Sequence, residues 1–130
     1  LGAGLMTFCN AHLEPGITRI LDILNIELHL KEADLVITGE GKMDSQSLNG
    51  KAPVGVAKLA KKYHVPVIAI VGSADYDIQE IYQHGIDLVI DTIIKPMPLE
   101  EAIKNVKKLL IIAGENAYRA SQINTNKKLS

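Results

Sequence analysis

Between Gly39 and Lys51 the sequence sets two acids, Glu40 and Asp44, and two lysines, Lys42 and Lys51, among the glycines Gly39, Gly41 and Gly50. Ammonium groups hold phosphate oxygens, while carboxylates bind a hard metal ion or accept a proton. These residue types suit phosphoryl transfer. That reaction needs a carboxylate beside the attacking hydroxyl, cations on the migrating group and oxygen ligands for Mg²⁺. Glycines let the main chain come close to a ligand. The spacing is not that of a Walker A loop, because the Gly-Lys-Ser/Thr triplet is missing and Ala52 follows Lys51. A solvated turn would use the same glycines, serines and charged residues. The length of the segment, and its departure from an apolar run read as a buried strand, favour a ligand loop.

A second set, Gly72, Ser73 and Asp75, follows the next apolar run. If the two runs are parallel strands, both loops meet at one sheet edge, as a binding crevice requires. Ser73 reads as a cap before it reads as a nucleophile, and Asp34 as a cap or salt-bridge partner. His12, His29, His64 and His84 are scattered, with no metal-ligand spacing inside one element. Gly2 and Gly4, in the opening GAG, are either the tail of a glycine-rich phosphate loop or a close-packed turn.

The elements that must position these groups follow a regular rhythm. The opening reads as a glycine-rich turn entering a short helix, ended by Pro15 and Gly16. Ile17, Ile20, Leu21 and Leu24 then give a helix to about Asn25. Leu35–Thr38 reads as a buried strand, and the loop after it passes through Pro53 into an amphipathic helix. Val67–Val71 is a β-branched run suited to a strand covered on both faces, with Gly72-Ser73 turning the chain. Ile78, Ile81 and Tyr82 mark a helix closed at Gly85 by a left-handed cap, and Leu88–Ile90 a third strand. Pro98 sits in the first turn of a last helix running toward Tyr118, with a bend at Gly114. The tail, 125–130, should fray. Strands alternating with helices predict an α/β fold: a parallel sheet of βαβ units with helices on both faces.

The chain has 130 residues, 47% apolar and 22% charged, with a formal net charge of −1. That is one globular domain with no electrostatic footprint for nucleic acid or an acidic membrane. No apolar stretch approaches the roughly 20 residues needed to cross a bilayer. Cys9 is the only cysteine. It excludes an internal disulfide and fits a reducing, cytoplasmic setting. Leu1 is not an initiator methionine, so the chain reads as part of something longer whose amino-terminal portion is missing.

The stretch DLVITGEGKMDSQSLNGKAPVGVAKLAKKYHVPVIAIVGS resembles the signature region of the bacterial two-domain glycerate kinases, supported by GAGLM, LEPGI, HGID and PMPLEEA elsewhere. The resemblance covers the whole chain and implies the carboxyl-terminal part of a larger two-domain α/β kinase. It further implies ATP as phosphoryl donor, D-glycerate as acceptor, 2-phosphoglycerate as product and a need for Mg²⁺. The motif positions carried over are Gly39, Glu40, Gly41, Asp44, Gln46, Gly50, Lys51 and Pro53. Lys42 stands where arginine is common, keeping charge but losing bidentate geometry. Ser47 stands where threonine is common, and Pro98 where a capping serine is expected.

On this footing Asp44 orients or deprotonates the glycerate hydroxyl, and Lys42 and Lys51 engage phosphate or the substrate carboxylate. Glu40, with Asp44, holds Mg²⁺. Gly2, Gly4, Gly39, Gly41, Gln46, Gly50, Gly72 and Ser73 line the substrate and nucleotide. The partners implied are the small substrate, ATP and the rest of the same protein, with room for a homodimer. The competing reading is a non-catalytic α/β ligand-binding or sensor module. A receiver-like phosphoacceptor domain is less well matched, because the acids sit in one glycine-containing loop.

Overall fold

The computed structural model describes residues 1–48 and 50–123. The expected frayed tail lies outside them. Three parallel strands in the order β1-β2-β3 form the sheet: β1 Val36–Met43, β2 Val67–Ala74 and β3 Leu88–Asp91. Preceding them are helices α1 Gly2–Cys9, α2 Gly16–Ile23 and α3 Ile26–Leu30. Helix α4, Ala52–Lys62, connects β1 to β2, and α5, Gln79–Gln83, connects β2 to β3. The chain ends in α6, Leu99–Lys104, and α7, Val106–Gln122. No helix among the described residues is long and apolar enough to cross a membrane.

The sheet is covered on both faces, as its β-branched centre requires. Val67, Ala69 and Val71 of β2 join Val54, Ala57 and Ala60 of α4, with Ile81 and Ile86, in one buried cluster. Each valine or isoleucine among them contributes about 1.5–3 kcal/mol when fully removed from water, and each alanine less. Ile68, buried but directed to the opposite face by strand alternation, lies on the side covered by α7. The buried stripe of α7 is Leu109, Ala113 and Ala117, four residues apart at each step.

Both strands that lead to the charged segment are longer than their apolar runs. β1 does not stop at Thr38. Gly39, Glu40, Gly41 and Lys42 are strand residues, because β2 continues alongside them through Gly72 and Ser73 to Ala74. The turn expected at Gly72-Ser73 falls after Ala74 instead. Nor is β1 an interior strand of this sheet: it lies at the edge, with Ile37 52% exposed, and β2 is central.

Along this extension the ladder is irregular. Register pairs run from Val36↔Val67 to Glu40↔Val71 and resume at Lys42↔Ser73, omitting Gly41 and Gly72. A Cβ on Gly72 would lie 2.5 Å from the Gly41 carbonyl oxygen, so the two main chains cross closer than any side chain permits. Val36 and Met43 both reach the same buried cluster although seven residues separate them. An odd separation puts two residues on opposite faces of a regular strand. The glycine crossing therefore turns the strand tips over.

Three other boundaries differ from expectation. Gly2 and Gly4 belong to α1 rather than to a turn. The last helix breaks at Asn105, not Gly114. Asn105 has φ −100 and ψ 8, and its Nδ2 donates at 2.8 Å to the Glu101 carbonyl, which also accepts the Asn105 N–H at 3.0 Å. Gly114 lies inside α7. Pro98 stands just before α6 instead of in its first turn, while Glu100 and Glu101 occupy that turn as expected. Gly85 closes α5 with φ +103, the predicted left-handed cap.

Candidate functional site

Past Met43 the chain leaves the sheet at Asp44 and forms a single 3-10 turn, Ser45–Leu48, before Lys51 starts α4. The turn is closed on Asp44. Ser47 N–H donates to the Asp44 carbonyl at 2.9 Å and Asp44 N–H donates to Ser47 Oγ at 3.0 Å. The Ser47 hydroxyl donates in turn to Asp44 Oδ1 at 3.2 Å. Aspartate at the start of a turn uses its short side chain in this way.

Two lysines converge on the same carboxylate. Lys51 Nζ lies 3.7 Å from Asp44 Oδ1 and donates to the Lys42 carbonyl at 3.0 Å, tying the start of α4 back to β1. Lys42 Nζ lies 4.0 Å from Asp44 Oδ2 and 3.0 Å from Asp75 Oδ2. Asp75 is itself anchored, its N–H donating to the Met43 carbonyl at 2.9 Å. The two strand tips thus meet through charged side chains: β1 contributes Lys42 and Asp44, and the end of β2 contributes Asp75.

Asp44 is 19% exposed, and partial burial is the largest influence on its carboxyl, pushing its pKa up. The Ser47 hydroxyl, then the Lys51 and Lys42 charges and the Ser47 N–H, together outweigh that effect and hold it below the usual carboxylate value. Asp44 is therefore an anion throughout the neutral range. The Lys42 ammonium is raised above its ordinary value, first by its hydrogen bond to Asp75 and then by that charge, with burial opposing and Asp44 and Asp77 adding.

This arrangement can receive an anion. Lys42 and Asp75 are 56% and 46% exposed, and an ion pair this open to water is screened and holds its partners only weakly. An incoming phosphate or carboxylate can displace Asp75 from Lys42 at small cost. Asp44, held more tightly and less exposed, stays fixed beneath.

The other candidates are distributed unevenly. Ser73 pairs in register with Lys42 and is exposed at the tip of β2. Gln46 is exposed on the 3-10 turn and Gly50 lies just before Lys51. Glu40 is two residues back in β1; its Oε1 accepts from Gly41 N–H at 3.1 Å, and it joins no ion pair among the described residues. Gly39 and Gly41 serve the strand path, and Gly72 the crossing. Gly2 and Gly4 lie in α1, which has no buried residue and makes no hydrogen bond or ion pair to the cluster among the described residues.

Two participants carried little signal in the sequence. Asp75 was named only as a neighbour of Ser73, yet it holds Lys42. Ser47 drew attention as a replacement, yet it is fully buried against Asp44. Its spacing three residues after an aspartate is a turn-capping pattern that points to this contact. A concavity of about 420 Å³ between α2 and α4 is lined by Ile17, Leu21, Leu48, Val54 and Leu59, among others, but not by Lys42, Asp44, Lys51 or Asp75. Asp22, Glu27, Lys58 and Lys62 also line it, and of the residues expected at the site it includes Gly50 alone.

Comparison with known proteins identifies the family. The model of the glycerate kinase family matches residues 1–122. Glycerate 2-kinase of Escherichia coli (strain K12) is 46% identical over 122 residues, spanning 94% of this chain and 30% of that protein. Glycerate kinase of Bacillus subtilis (strain 168) is 46% identical over 110 residues, 85% of this chain and 29% of the relative. A crystal structure from Salmonella typhimurium LT2 assigned as glycerate kinase 2 superposes with a TM-score of 0.61 at 41% identity, covering 92% of this chain and 32% of that one. The chain thus spans about a third of the length of these relatives. Matched over nearly all of its residues, it belongs to the glycerate kinase family.

Proposed function

We propose that the complete protein transfers the γ-phosphoryl group of ATP to a hydroxyl of D-glycerate, forming 2-phosphoglycerate and ADP. Residues 1–130 are its phosphate-handling α/β unit, working with the remainder of a two-domain enzyme in the cytoplasm. The observation that carries this reading is the convergence of Lys42 and Lys51 on an ionised Asp44 at the tip of a parallel strand, in a chain of this family.

Asp44 accepts a hydrogen bond from the glycerate hydroxyl and directs its oxygen at the γ-phosphorus. As the new P–O bond forms and the bond to the bridging oxygen of ADP breaks, the hydroxyl proton passes to Asp44. A carboxylate held below its usual pKa takes that proton late, which suits a loose phosphoryl transition state. Lys42 leaves Asp75 for a phosphate oxygen or the glycerate carboxylate, and Lys51 balances charge as it develops. Gly39, Gly41, Gly50, Gly72, Ser73 and Gln46 shape the surroundings of the anions.

Glu40 and Asp44 offer carboxylate oxygens, the donors Mg²⁺ takes. No group of three potential metal-binding side chains gathers among the described residues, so phosphate oxygens and water would complete the shell. When bound, the ion neutralises phosphate charge.

The test is ATP consumption by the full-length protein with Mg²⁺, comparing glycerate with other small hydroxy acids. Glycerate-dependent ADP release is expected. ATP or glycerate binding without turnover would instead support a non-catalytic ligand-binding module.

A further inference from the structure

In a turn whose Ser45 and Gln46 are exposed, Ser47 is wholly buried, and its hydroxyl and N–H are both spent on one partner. Its hydroxyl accepts from Asp44 N–H at 3.0 Å and donates its single proton to Asp44 Oδ1 at 3.2 Å, while its own N–H donates to the Asp44 carbonyl at 2.9 Å. A hydroxyl that both donates and accepts within one residue has no rotational freedom left. It fixes the Asp44 side chain as well as the turn.

The two carboxylate oxygens are thereby made unequal. Oδ1 takes the Ser47 proton and lies 3.7 Å from Lys51, whereas Oδ2 has only the longer 4.0 Å approach of Lys42. We propose that Ser47 is the positioning residue of the phosphoryl-transfer site, locking Asp44 by Oδ1 so that Oδ2 is presented to the substrate hydroxyl. This rests on the proposed role of Asp44. A serine that merely closed the turn would affect stability and leave the chemistry of Asp44 unchanged.

The experiment measures kcat and KM in the full-length protein for wild type, Ser47→Ala, Ser47→Thr, Asp44→Asn and the Ser47→Ala/Asp44→Asn double variant. Ser47→Ala should lower kcat roughly 10- to 100-fold, the range for a misplaced catalytic group, with KM changed less than about threefold. Ser47→Thr, which keeps the hydroxyl, should restore most of the rate. The double variant should be no slower than Asp44→Asn, because Ser47 acts through Asp44.

A crippled Asp44→Asn beside a Ser47→Ala enzyme of normal rate overturns the positioning role alone. So does a Ser47→Ala/Asp44→Asn enzyme far slower than Asp44→Asn alone. Near-normal turnover of Asp44→Asn overturns the Asp44 assignment, and this inference with it. Should Ser47→Ala fail to fold, Ser47→Cys, which keeps the volume with a weaker donor, is read by the same criteria.

Discussion

The Lys42 ammonium and the Asp75 carboxylate lie 3.0 Å apart across the tips of two neighbouring parallel strands. They meet because Lys42 is in register with Ser73, and because Asp75, two residues later, is pinned to the Met43 carbonyl. Both groups are too exposed for the pair to contribute much stability. On the proposed function, the pair keeps a cation at the strand tip beside Asp44 for an anionic ligand to claim.

Asp75→Asn removes the competitor for Lys42. The expected result is a KM for the anionic substrate lowered about two- to fivefold, the modest effect of freeing a solvent-exposed lysine. The midpoint of thermal unfolding should shift by no more than a few degrees. Steady-state kinetics and a melting curve of the full-length protein check both. A raised KM would mean that Asp75 positions Lys42 for the ligand rather than competing with it.

Gly72→Ala and Gly41→Ala should behave oppositely, although the two glycines lie side by side. An added Cβ at position 72 meets the Gly41 carbonyl oxygen at 2.5 Å, and main chain cannot step aside; at position 41 nothing lies within 4 Å. Gly72→Ala should cost about 1–3 kcal/mol in urea unfolding, the range for overpacking, and Gly41→Ala less than about 1 kcal/mol. Equal effects would contradict the close crossing of the strands.

The state of Asp44 can be read by carboxyl NMR titration. Its folded pKa is depressed below the ordinary 3.8, so its contribution to stability is complete above that value and is lost as pH falls through the folded value. Asp44 therefore introduces no acidic limb into stability between about pH 5 and 8. Lys51→Met removes one lowering influence and should raise the midpoint toward 3.8. A wild-type midpoint above 3.8 would contradict the cluster geometry.

The sequence disclosed the parallel α/β order because each signal was local: β-branched runs, Gly85 at a helix end, Pro53 at a helix start. It also brought Lys42, Asp44 and Lys51 together, since all three lie on one short connection. The path of that connection was not legible. Gly39-Glu40-Gly41-Lys42 has loop composition, and only pairing with the continued β2 makes it a strand. The edge position of β1 likewise depends on which strands are present, not on its own residues. Asp75 and Ser47 were underweighted because their importance is relational. Each matters through one hydrogen-bonded or charged partner that the register or the turn brings near. The break at Asn105 lies in that residue's backbone angles, φ −100 and ψ 8, which apolar periodicity does not register.

The kinetics of Asp44→Asn in the full-length protein bear most directly on the account, since the substitution keeps the shape and one oxygen of the side chain while deleting its charge. With Mg²⁺-ATP and glycerate, kcat should fall by about two to four orders of magnitude, the usual worth of a general base, with the unfolding midpoint close to that of the wild type. Turnover within a fewfold of wild type would remove Asp44 from the chemistry and leave the lysine-aspartate cluster a structural clamp.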